Sequence, residues 1–159
     1  MSRYATIADL KEEMGSRTSP AATYQMLTDR VGATTANDTV GQALLDAAES
    51  DINQKLAGRY AVPVDASGDA TAAAWLRSAT LTIATYLGWL KHPTRSGNRE
   101  TVKTLFDGVM RTLEAIAAGT QQLPSEGPLA GPAEQPTTGT TAEAVGSERV
   151  FTEDALKDL

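Results

Sequence analysis

Nineteen consecutive residues, 72–90, read AAAWLRSATLTIATYLGWL, and they constrain the fold more than any other stretch. At a helical period, Trp75, Leu76, Ala79, Leu81, Ile83, Ala84, Tyr86, Leu87 and Leu90 occupy nearly every side. Only a narrow polar strip of Arg77, Ser78, Thr82 and Thr85 is left. A helix that is apolar all round must be covered all round, so it lies at the centre of a bundle or is shared with another subunit. It does not read as a membrane span. It begins close to Asp69, contains Arg77 and falls short of the roughly 20 apolar residues that a bilayer crossing needs. Trp75, Tyr86 and Trp89 are the candidate subunit-interface residues, because they offer more apolar surface than one small bundle can hide.

Two further helices can cover it. Across 39–58, Val40, Leu44, Ala47, Ala48, Ile52 and Leu56 form an apolar stripe. Asp38 or Thr39 is placed to cap its start and Gly58 to end it, with Asp46, Glu49 and Lys55 toward solvent. Across 98–118, Val102, Leu105, Phe106, Val109, Leu113 and Ile116 share a face, and Gly119 marks the stop. TIADLKEEMG reads as a short helix capped by Thr6 and ended by Gly15. Residues 16–38 carry no decisive pattern, and TYQMLTDR fits a helical turn or a brief extended piece equally. No strand-like alternation occurs. The fold class is therefore all-α, a small helical bundle with connections at 59–71 and 91–97.

Beyond residue 119 the composition changes. Pro124, Pro128, Pro132 and Pro136 recur at every fourth position among Gly, Thr, Ser and Ala, with almost nothing to bury. The stretch 120–147 spans roughly 30 Å as a flexible coil and on the order of 90 Å drawn out, so it can leave the parent domain. The chain then ends in RVFTEDALKDL. Thr152 is a natural N-cap, Glu153 and Asp154 suit a helix N-terminus, and Phe151 and Leu156 occupy hydrophobic-staple positions. Yet the segment is shorter than the roughly 12–15 residues an isolated helix needs in water, so it requires a partner surface. Phe151, Leu156 and Leu159 are the candidate anchor, with Arg149 beside them; a frayed tail is the bland alternative. The expected organisation is a helical domain at 1–119, a linker at 120–147 and a docking segment at 148–159.

Chemistry is hard to find in these residues. The chain has no Cys, which excludes disulfides, thiolate catalysis and Cys-based metal sites. His92 is the single histidine, beside Pro93, and reads as a surface or capping residue. No HExxH, EF-hand loop, GxxxxGK[ST], GxGxxG or GxSxG occurs, and Ser and Thr lack an activating base. Neither metal, cofactor nor enzymatic activity is expected. Asp46, Glu49 and Asp51 read as a solvated helical face. The start of the chain has no basic region followed by an apolar run, so no targeting signal is expected.

The net charge of −6 is uneven: +2 over 91–119 and −5 over 120–159. An acidic chain is poorly suited to gripping phosphate backbones. Lys91, Arg95, Arg99 and Lys103 surround one connection and form either a solubilising patch or a docking loop for acidic groups.

Several segments resemble one phage family. YATIADLKEEMG, LTDR, ALLDAAESDINQKLAGRYAVPV, TYLGWL and LEAIAAGTQQLP are similar to the head-to-tail adaptor proteins of Mu-like tailed phages, with INQKLAGRYAVPV the most specific part. The resemblance implies a helical protein that assembles as a ring beneath the portal of a DNA-filled capsid and receives the next neck or tail component. It also implies dodecameric symmetry following the portal, a place in the virion neck after assembly in the bacterial host cytoplasm, and passage of genome DNA without specific binding. In some related adaptors the C-terminal segment leaves the helical body and engages the portal. Arg59 and Tyr60 match the family pattern; by their position they are expected to end the helix and pack the VPV turn. The alternative class is a free-standing helical regulatory or nucleic-acid-binding domain with a disordered acidic tail.

Overall fold

The computed structural model describes residues 3–18, 24, 27–28, 37–91, 99–125 and 131, the side chains of 15–18 and 99 excepted. Among the described residues four helices carry the fold: α1 (Ile7–Thr18), α2 (Asp38–Leu56), α3 (Ala70–Lys91) and α4 (Arg99–Ala117). Among the described residues there is no strand, and no helix is long and apolar enough to cross a membrane.

α3 is the centre. It packs on α1, α2 and α4, whereas α1 and α4 do not touch each other. Residues 79–85 are buried without interruption, about two full turns, so the helix is covered on every side at its middle. Thr82 and Thr85, expected on a polar strip, are buried with the rest. The neighbouring Thr80 hydroxyl returns to its own helix by donating to the Leu76 carbonyl at 2.8 Å, whereas Thr85 Oγ1 is buried without a hydrogen-bond partner among the described residues. Trp89 is 2% exposed. Its ring is already covered within one chain, so it offers no free surface to a subunit interface.

Local chemistry sets the helix ends. At α1, the Thr6 N–H donates to Asp9 Oδ2 (2.8 Å) and the Asp9 N–H to Thr6 Oγ1 (3.2 Å), a reciprocal capping box. α1 then runs through Gly15 to Thr18, further than expected. A glycine inside a helix costs about 1 kcal/mol but does not by itself stop it. The cap of α2 is Asn37, whose Oδ1 accepts the Val40 N–H, and not Asp38 or Thr39. Asp38 instead holds Lys11 at 2.9 Å and accepts the Tyr24 hydroxyl at 3.0 Å. Gly58 is not a left-handed stop: α2 ends at Leu56, with Ala57 in right-handed geometry.

Gly119, by contrast, has φ +80. Its N–H reaches Ile116 O and that of Thr120 reaches Ala115 O, both at 3.0 Å, which is a Schellman termination. In α4 the expected apolar face is mostly buried or half-buried, but Leu105 is 39% exposed. It lies at the margin of that stripe.

Candidate functional site

Antiparallel neighbours alternate direction, so the end of α2, the start of α3 and the end of α4 share one pole of the bundle. Three segments meet there: the first described residues, the α2–α3 connection and the exit from α4. Tyr4 ties the first two. Its hydroxyl donates to Asn53 Oδ1 (2.7 Å) and accepts the Val64 N–H (2.6 Å). Burial pushes the Tyr4 phenol above its ordinary pKa against the lowering effect of the Val64 N–H, which keeps it a neutral donor. Beside it, the Arg3 N–H donates to Glu49 Oε2 at 2.6 Å. Glu49 is therefore buried at 9% exposure rather than turned to solvent with Asp46. The amphipathic period placed it at the edge of the polar face, and the incoming chain covers that edge.

Arg59 and Tyr60 tie the second segment to the third. Their N–H groups both return to Leu56 O, at 2.9 and 3.0 Å, so the backbone ends α2 as expected. Their side chains do something else. The Tyr60 hydroxyl accepts the Leu123 N–H at 3.0 Å, and the Arg59 guanidinium lies directly over Gly119, where a Cβ would stand. Only glycine leaves room for it. Leu123 itself is 2% exposed. The segment that follows α4 is thus anchored to the bundle at Leu123.

A cavity of about 380 Å³ opens at the same pole, lined by Arg3, Tyr4, Val64, Asp65, Ala66, Ser67, Ala73 and Leu76. Asp65 accepts the Ser67 N–H at 3.0 Å, and hydrogen bonds from the Ser67 hydroxyl and N–H hold its carboxyl below the usual range. Among the described residues no group of three or more His, Cys, Asp or Glu is placed to hold a metal ion.

The other residues singled out from the sequence are scattered. Trp75 and Tyr86 are half-buried, and Tyr86 stacks on Phe106 with ring centroids 4.1 Å apart. Lys91 is exposed. Lys103 bonds Asp107 at 2.6 Å within its own helix, and that hydrogen bond raises its pKa. Arg99 opens α4. His92, Arg95 and the segment holding Arg149, Phe151, Leu156 and Leu159 lie outside the described residues. The roles of Tyr4, Asn53 and Leu123 carry no signal in the sequence, and Glu49 reads there as solvent-facing, since their partners lie 46 to 63 positions away and leave no local spacing.

Residues 4–142 match the protein family described as Bacteriophage Mu, Gp36. The chain belongs to that family. The match to Mu Gp36 begins at Tyr4, takes in Asn53, Arg59, Tyr60 and Val64, and continues past Leu123 to residue 142. It bears out the resemblance as far as a Mu-like phage protein. No curated protein sequence matches the chain.

Proposed function

We propose that this Mu Gp36-family protein is a structural adaptor of the virion neck, one subunit of a ring that sits beneath the portal and receives the next neck or tail component. The observation that carries the reading is the anchored exit: a helical body of a phage protein holds Leu123 through Tyr60, a fixed point from which a tether could start. On this reading 120–147 is the tether. Phe151, Leu156 and Leu159, flanked by Arg149, are the anchor that docks on the portal or a neighbouring subunit.

The net charge of −6 suits a channel through which DNA slides without sticking. The role is mechanical, with no catalysis and no cofactor. A dodecamer following portal symmetry is the expected assembly, and its place is the head–tail interface.

The test is electron microscopy of the full chain mixed with purified portal protein, together with a variant lacking residues 148–159. A coaxial ring that weakens or disappears in the truncated variant, while its helical circular dichroism persists, supports the reading. A strictly monomeric protein with no affinity for portal and salt-sensitive binding to duplex DNA refutes it.

A further inference from the structure

Two buried polar atoms of α3, Thr85 Oγ1 and Trp89 Nε1, have no hydrogen-bond partner among the described residues. No other buried side-chain N or O atom among those residues is in this state. Thr85 is 7% exposed and Trp89 2%, so neither atom can turn to bulk solvent. Leaving one such group unsatisfied is costly, and a native interior seldom does so twice in one place.

The two atoms belong to one place. Residues four apart share a helix face, with Cβ atoms about 5–6 Å from each other, and a long side chain leans back over the preceding turn. Trp89 therefore lies toward Thr85. On the same helix the Thr80 hydroxyl donates to the Leu76 carbonyl at 2.8 Å, but Thr85 does not make the matching bond to its own backbone. Its hydroxyl is aimed elsewhere. Beside this face the wall is apolar: a Cβ on Gly88 would stand 3.3 Å from Leu27 Cβ and 3.5 Å from Leu44 Cδ1.

An indole N–H can only donate, whereas a hydroxyl both donates and accepts. One water oxygen meets both needs. We propose that Thr85 and Trp89 hold a single internal water molecule: the Trp89 N–H donates to its oxygen, and the water donates one hydrogen to Thr85 Oγ1. Its other hydrogen goes to the second lone pair of a helix carbonyl. That gives the water about three bonds, the usual number for a buried one. The site fixes the Trp89 ring inside the bundle, and it stands independently of the adaptor reading.

Nuclear magnetic resonance of the full chain tests this in a Trp75→Phe background, which leaves one of the two indole signals. The expected result is a cross-peak between the Trp89 indole N–H and a water of long residence, kept in Thr85→Ser and lost in Thr85→Val. Urea titration of Thr85→Val should also show the folded-to-unfolded ratio lowered about fivefold, because the water loses a partner. In a dry pocket the same change removes an unsatisfied hydroxyl and raises that ratio, which overturns the proposal. Absence of the cross-peak overturns it too, since the indole is then paired with a protein group or with nothing. A cross-peak that survives in Thr85→Val would mean a water held without Thr85 and would refute the shared site.

Discussion

Replacing Tyr4 by Phe keeps the ring that fills the pole of the bundle and deletes one oxygen. That oxygen serves two partners, the Val64 N–H at 2.6 Å and Asn53 Oδ1 at 2.7 Å. Leaving a buried polar group unsatisfied costs about 1–3 kcal/mol. The two losses are unequal: Val64 is 6% exposed, so its N–H has little water to turn to, whereas Asn53 is half-buried and its amide can rotate toward solvent. The expected loss is therefore about 2 kcal/mol, most of it from Val64. For a helical body of roughly 120 residues this lowers Tm by about 8 °C, at an unfolding entropy near 2.1 cal/mol/K per residue.

Thermal denaturation followed by circular dichroism reads that shift directly, and urea titration gives the free energy. Asn53→Ala alone is expected to cost less than Tyr4→Phe, and the double variant should fall short of the sum by about 0.5–1 kcal/mol, since both changes remove one shared bond. A Tm change under about 2 °C for Tyr4→Phe, or strict additivity in the cycle, would refute the claim that this hydroxyl ties the incoming chain to α2 and its connection.

Three other outcomes follow from named atoms. Gly41→Ala would place a methyl on the Tyr24 hydroxyl, which is bonded to Asp38, so urea titration should show a loss of about 1–3 kcal/mol; a gain of the kind usual for Gly→Ala inside a helix would contradict the close approach. Gly119→Ala must hold a left-handed residue at φ +80 and displace the Arg59 guanidinium, costing about 1–2 kcal/mol. Gly108→Ala, inside α4 with open space around it, should instead stabilise by about 0.5–1 kcal/mol, and equal effects at the two sites would defeat the argument.

Tyr4 and Tyr24 both have pKa values raised above 10.0, chiefly by burial and, for Tyr24, also by its bond to Asp38. The folded state holds these protons more tightly than the unfolded chain, so their contribution is complete below the unfolded value and is lost as pH climbs through the folded ones. Unfolding free energy should thus fall between about pH 9 and pH 11, and a flat profile there would count against it.

The part of this protein written in the residues is the part governed by neighbours three and four positions apart. The all-round apolar segment announced a central helix, and α3 is one. Thr6 announced a cap and Gly119 a stop, because capping and left-handed geometry are settled within a few residues. The change of composition at residue 120 marked where helical patterning ends. What no local pattern could settle is which polar groups go inside and what they meet there. Glu49 sits on an amphipathic helix whose period points it outward, and only the arrival of Arg3 buries it. Trp75 and Trp89 look alike in a helical stripe, yet one is half-buried and the other covered. Arg59 and Tyr60 read as the end of a helix. Their side chains instead clamp Gly119 and Leu123, some 60 positions on. A bond closed over that distance depends on how the helices stack and leaves no trace in residue spacing, so the anchoring of Leu123 is decided by the tertiary structure alone.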